Sequence, residues 1–126
     1  MVEFRELVAR ADALLLAVPE YNHSYTALLK NALDWASRPR PVSALSQKPV
    51  ALMGAGGGSG TTRAQAALRP VLAATEAYLM PEPELYVVNA AQCFDEEGNL
   101  ADDSIREAVR DVVAALAAWT RRSRSG

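Results

Sequence analysis

Two stretches of the chain hold residue types suited to binding chemistry, and each follows an apolar run. The first is Pro19-Glu20-Tyr21-Asn22-His23-Ser24. Backbone N–H groups opening a helix lack intrahelical partners and carry the positive end of its dipole, so this loop suits a ligand with carbonyl oxygens or a ring that gains electron density. Tyr21 adds an aromatic surface, and Asn22 adds a donor and an acceptor and tolerates a left-handed turn. The plain alternative is a polar turn closed by a capping Ser24. The second stretch is Gly54-Ala55-Gly56-Gly57-Gly58-Ser59-Gly60-Thr61-Thr62, with five glycines in positions 54–60. Such a segment brings main chain close to a flat or anionic ligand without side-chain interference. It is neither a Walker loop, having no lysine, nor a dinucleotide fingerprint, since Ser59 stands where the third glycine belongs. The plain alternative here is a flexible surface turn.

Simple counts exclude much other chemistry. One cysteine, Cys93, and one histidine, His23, build neither a disulfide nor a Cys-rich metal site, so no metal is expected. His23 reads as a loop residue beside the site, and no side chain is assigned as a catalytic acid, base or nucleophile. A formal net charge of -2 gives no basic field for a phosphate backbone, so nucleic acid is not an expected partner. Arg121, Arg122 and Arg124 form the one basic cluster, and residues 121–126 read as a disordered, solvated tail after a domain spanning 1–120. No apolar stretch approaches the roughly 20 residues that cross a bilayer. The opening Met1-Val2-Glu3-Phe4-Arg5 lacks the layout of a secretion signal, so the expectation is a protein of the reducing cytoplasm, neither exported nor membrane-embedded.

Both loops need elements to hold them. Phe4, Leu7, Val8 and Ala11 make the stripe of a short helix ending near Asp12. The run Ala13 to Val18, closed by Pro19, has the length of a strand buried on both faces. Leu28, Leu29, Ala32, Leu33 and Ala36 keep a helical period until Arg38-Pro39-Arg40-Pro41, with Lys30 and Asp34 paired on its surface. Pro49 to Met53 is a second buried strand running into Gly54. A helix from Thr61 or Thr62 carries Leu68, Val71, Leu72 and Thr75, with Pro70 expected to kink or split it. Leu85 to Val88 reads as a third strand. Asp102 or Asp103 caps a last helix bearing Ile105, Val109, Val112, Val113, Leu116 and Trp119. Helices alternating with short buried strands imply an α/β fold with a parallel sheet covered on both faces. Such sheets bind ligands beyond the carboxyl ends of their strands, where both loops lie.

The segments Pro19-Glu20-Tyr21-Asn22-His23-Ser24-Tyr25 and Leu29-Lys30-Asn31-Ala32-Leu33-Asp34-Trp35 resemble the signature of the NADPH-dependent FMN reductase family of flavodoxin-like proteins. The resemblance continues through Lys48-Pro49-Val50-Ala51-Leu52-Met53-Gly54-Ala55, the glycine loop with Arg63-Ala64-Gln65, Pro81-Glu82-Pro83, and Phe94-Asp95 to Gly98-Asn99-Leu100. Thr26 stands where the family commonly places proline. The resemblance implies a flavodoxin-like three-layer sandwich with a non-covalent FMN. It implies hydride uptake from NADPH or NADH, delivery to quinone, azo or similar small-molecule acceptors, and a homodimer or homotetramer. It places Pro19, Glu20, Tyr21, Asn22, His23 and Ser24 on one side of the flavin ring. Gly54, Gly56, Gly57, Gly58, Ser59 and Gly60 would lie on the other.

The family's opening strand, its phosphate loop, and the helix and strand that follow are not matched. The sheet order 2-1-3-4-5 is therefore expected as its 3-4-5 part, which makes the Leu14-Leu15-Leu16 strand an edge and favours self-association. Two readings follow: an FMN-dependent NAD(P)H oxidoreductase, or a related assembly module without turnover.

Overall fold

The structure, a computed structural model, describes residues 2–125. Its elements run α1 (Val2–Arg10), β1 (Leu14–Ala17), α2 (Ala27–Ala36), β2 (Pro49–Ala55), α3 (Thr62–Ala74), β3 (Tyr78–Leu79), β4 (Tyr86–Val87), a 3-10 turn (Ala90–Cys93) and α4 (Asp103–Ser125). β2 is the central strand, and every pairing is parallel. β1 runs along one side in register from Leu14 opposite Val50 to Ala17 opposite Met53. β3 and β4 share the other side, because Tyr78 and Met80 donate to the Lys48 and Val50 carbonyls while Gly54 and Gly56 donate to those of Leu85 and Val87.

The third strand is thus two short pieces rather than the single run Leu85 to Val88. Pro81 and Pro83 have no N–H for the ladder, so pairing stops after Met80 and resumes at Leu85.

Side chains of β2 alternate between two cores. Val50 and Leu52 join Val8 of α1, Leu33 and Ala36 of α2, and Leu68 and Leu72 of α3 on one face. Ala51 joins Val87, Val112 and Leu116 on the other, where α4 lies. This is the expected three-layer arrangement. Each of Leu45, Leu68 and Leu72 is fully buried and contributes about 1.5–3 kcal/mol by leaving water. β1 pairs with β2 alone among the described residues, leaving an open outer edge as expected. Leu14 and Leu16 pack on the three-helix face, whereas Leu15 on the opposite side stays partly exposed.

Three local expectations change. Thr26, not Ser24, caps α2: its Oγ1 accepts from the Leu29 N–H at 3.2 Å, a bond worth about 1 kcal/mol. Ser24 is held in a turn instead, its N–H and carbonyl both bonded to Tyr21. Pro70 does not split α3, which runs on from Thr62 to Ala74 with buried Leu68 and Leu72 anchoring it either side of the proline. Residues 121–125 are not a disordered tail but the last turns of α4, where Arg124 pairs with Asp12 and Arg122 stacks over Trp119. Asp102 caps α4, accepting from the Ser104 and Ile105 N–H groups at 3.0 and 3.2 Å. Among the described residues no helix is long and apolar enough to cross a membrane.

Candidate functional site

Both loops emerge from the same rim of the sheet. β1 pairing ends where Val18 donates to the Met53 carbonyl at 2.8 Å, and Pro19 turns the chain outward. Tyr21 and Ser24 then exchange two backbone hydrogen bonds of 3.0 and 3.1 Å, closing a tight turn with Asn22 and His23 at its tip. Both tip residues are left-handed, at φ 53° and 68°, a region that Asn and His enter more readily than most side chains. Tyr21 is left 68 % exposed.

The glycine stretch is pinned rather than flexible. Gly56 donates to Val87, Ala90 donates to Gly56, and Asn89 donates to Gly57, at 3.0, 2.8 and 2.9 Å. Carbonyls of the loop are thus engaged by the chain after β4. By contrast, the N–H groups of Gly57, Gly58 and Ser59 have no partner among the described residues. Gly60 is needed for its own backbone, at φ 56°, with a Cβ there meeting the Tyr86 carbonyl carbon at 3.0 Å.

Between the loops lies a cleft of about 800 Å3 lined by Pro19, Glu20 and Tyr21 on one side and Ala55 to Ser59 with Thr61 and Arg63 on the other. Of the expected site residues, Pro19, Glu20, Tyr21, Gly56, Gly57, Gly58 and Ser59 therefore meet in one place. Asn22, His23, Ser24, Gly54 and Gly60 do not line it. Asn22 and His23 form the exposed turn, and Ser24 closes it. Gly54 lies buried within β2 and Gly60 packs on β4, so these two glycines answer crowding inside the fold.

Ala55, Thr61 and Arg63 were not among the expected contacts. Arg63 is brought in by Glu20: its Nε donates to Glu20 Oε2 at 2.9 Å, and its Nη2 lies 2.6 Å from the same oxygen. Ser59 Oγ also donates to Oε2, and the Ala64 N–H donates to Oε1, both at 2.9 Å. Arg63 Nη1 reaches His23 Nε2 at 2.8 Å. Behind the loop, fully buried Gln65 donates through Nε2 to Thr61 Oγ1 and the Leu85 carbonyl, both at 3.1 Å, tying α3 to the entry of β4. Gln65 falls within the Arg63-Ala64-Gln65 segment of the family resemblance, but its spacing does not mark it for burial, and by pattern it reads as one polar residue in an Ala-rich helix.

Burial of the Glu20 carboxyl favours its neutral form, but the bonds from Ala64, Arg63 and Ser59 and the charge of Arg63 outweigh it and hold the pKa at about 2, against 4.5. A carboxylate with a depressed folded-state pKa stabilises the fold fully above its unfolded value, and that stabilisation is lost as pH falls from 4.5 towards 2. Replacing Glu20 by Gln should therefore lower the thermal midpoint at neutral pH. The gap from wild type should close across that acid window, as read by circular dichroism; a gap constant with pH would show that the carboxylate charge contributes nothing.

Among the described residues no cluster of His, Cys, Asp and Glu could hold a metal ion. What the cleft offers is a concave surface with free N–H donors on one wall, an exposed tyrosine opposite, and a cation already neutralised by Glu20. Comparison with known proteins gives the chain a family. An NAD(P)H-dependent FMN reductase of Pseudomonas aeruginosa is 47% identical over 122 residues, covering 96% of this chain and 65% of the relative. An NADPH:quinone oxidoreductase of Arabidopsis thaliana is 44% identical over 122 residues, covering 94% of this chain and 61% of the relative. This chain thus spans under two thirds of the length of either relative. The solved structure of FerB, a flavoenzyme NAD(P)H:(acceptor) oxidoreductase from Paracoccus denitrificans, superposes with a TM-score of 0.84 at 30% identity, over 97% of this chain and 68% of that one. A Corynebacterium diphtheriae oxidoreductase shares the fold at a TM-score of 0.70 and 22% identity, over 96% of this chain and 62% of that one. The family model described as NADPH-dependent FMN reductase matches residues 1–92, and the chain belongs to that family, with its flavodoxin-like fold.

Proposed function

We propose that the cleft binds the ring of FMN and that the chain serves NAD(P)H oxidation with a quinone as electron acceptor. One observation carries this reading: Tyr21 and the residues Gly57, Gly58 and Ser59, whose N–H groups have no partner among the described residues, line a single cleft. A planar heterocycle with polar atoms along its edge fits those donors. Arg63, held by Glu20, is not free for a phosphate, so the fit concerns the ring end of the cofactor. The flavin would supply the hydride and electron chemistry. The residues of the chain have the simpler work of binding and orienting. N–H donors fixed by the pinned loop favour electron density at the polar edge of the ring without reorganising as it builds. Tyr21, on the opposite wall, covers apolar ring surface. No acid or base side chain is required for this.

FMN titration followed by flavin fluorescence, then NADPH or NADH oxidation with a benzoquinone, tests the reading. Tyr21→Ala should weaken FMN binding by up to about tenfold. Cys93→Ala, in the core under α4, should leave the affinity unchanged. Wild-type protein that takes up no FMN defeats the proposal. The oxidoreductase relatives at 47% and 44% identity and the buried free thiol of Cys93 support a reductase of a reducing, cytoplasmic setting. A homodimer belongs to the same proposal, and sedimentation reads it.

A further inference from the structure

α3 begins without a cap of its own. Thr61 precedes it at φ 70° and makes no side-chain capping bond, and its first turn has no acidic residue. The early N–H groups of a helix need an acceptor, and an anion is the best one. Here the acceptor comes from the other loop: Glu20 Oε1 takes the Ala64 N–H, across 44 residues of sequence. Its second oxygen gathers Ser59 Oγ and Arg63, so every donor on Glu20 belongs to the wall opposite its own. The other side-chain link between the walls is Arg63 with His23, and it depends on the same guanidinium. The amides of Gly57 and Gly58 sit just before this cluster, in the loop whose Ser59 end it holds.

We infer that Glu20 is a positioning residue: its carboxylate is a built-in anion that caps α3 from across the cleft and sets the spacing of the two walls. The consequence for binding rests on the flavin reading above; the consequence for the loops does not. A built-in anion has a specific signature. Deleting it leaves Ser59 Oγ, the Arg63 guanidinium and the Ala64 N–H converging on an empty spot the size of a carboxylate, and a free carboxylate should fill it.

The test uses Glu20→Ala in the full chain, with amide hydrogen exchange on cofactor-free protein and FMN titration, each with and without sodium formate against matched sodium chloride. Exchange at Ala64, and at Thr62, whose N–H donates to the Ser59 carbonyl, should quicken about tenfold, as expected for loss of a charge-assisted bond, while exchange in the centre of α4 stays as in wild type. FMN affinity should fall about tenfold, and formate should restore both properties in the variant while changing neither in wild type. Unchanged exchange at Ala64, or a folded variant indifferent to formate, overturns the inference. If the alanine variant does not fold, Glu20→Gln takes its place: it keeps an acceptor for Ala64 but turns an N–H2 towards Arg63, so exchange should quicken at Thr62, whose N–H donates to the Ser59 carbonyl, more than at Ala64. An even response, or none, counts against the inference. If wild type takes up no FMN but the exchange and formate results hold, the flavin reading fails and the positioning role stands. Faster exchange with undiminished FMN binding removes the wall-spacing role.

Discussion

Gly54→Ala should cost about 3 kcal/mol of stability, at the upper end for overpacking a core by one methyl group. Gly54 lies buried within the central strand, beneath the start of α3. A Cβ built on it falls inside contact distance of Thr61 Oγ1 and only 2.9 Å from both Thr61 Cβ and Gln65 Nε2. None of these atoms can step aside cheaply. Thr61 is 1% exposed, β-branched and already left-handed at φ 70°. Its Oγ1 accepts from Gln65 Nε2, whose Oε1 already lacks a partner, so displacing Thr61 adds a second unmet polar group to a buried pair. Urea unfolding gives the measurement. A second substitution checks the cause: Thr61→Gly removes the obstructing atoms and relieves the left-handed backbone, so the double variant should recover most of the loss. A single variant within 1 kcal/mol of wild type, or a double variant less stable than the single, would mean that the strand and α3 do not meet as described.

The crowding at Gly54 shows what could be read from the sequence and what could not. An apolar run such as Ala13 to Val18 and a sustained helical period such as Ile105 to Trp119 report directly on burial, and β1, β2 and α4 lie where those patterns put them. β3 is two residues long, too short for any period, and exists because Lys48 and Val50 offer carbonyls to it. The choice between Ser24 and Thr26 as a cap turned on the Tyr21–Ser24 backbone pair, which local spacing does not reveal. The cleft was legible because parallel sheets place the loops after successive strands at one rim, which predicts company for Pro19 to Tyr21 and Gly56 to Ser59. Arg63 was not, because an arginine in the first turn of a helix looks like surface charge until Glu20 is folded against it. Gly54 and Gly57 look alike in sequence, but only Gly54 is crowded by the core. Under the proposed flavin reading, what Gly57 offers is bare main chain on the cleft wall.

That difference gives the second large effect. No atom lies within 4 Å of a Cβ built on Gly57 or Gly58, and neither residue has a left-handed backbone. Alanine at both should leave stability within about 0.5 kcal/mol of wild type, or raise it slightly by restricting the unfolded chain. The two new methyl groups would stand on the cleft wall beside the N–H groups proposed to meet the flavin edge. A ring held off by one methyl layer loses those hydrogen bonds, so FMN affinity should fall at least about tenfold, or roughly 1.4 kcal/mol. Stability and binding therefore separate along one loop: Gly54→Ala spoils the fold, while Gly57→Ala with Gly58→Ala spoils the site alone. Undiminished FMN binding by this stable double variant would place the ring elsewhere, because a close approach to bare main chain is the one thing these two glycines provide that alanine does not.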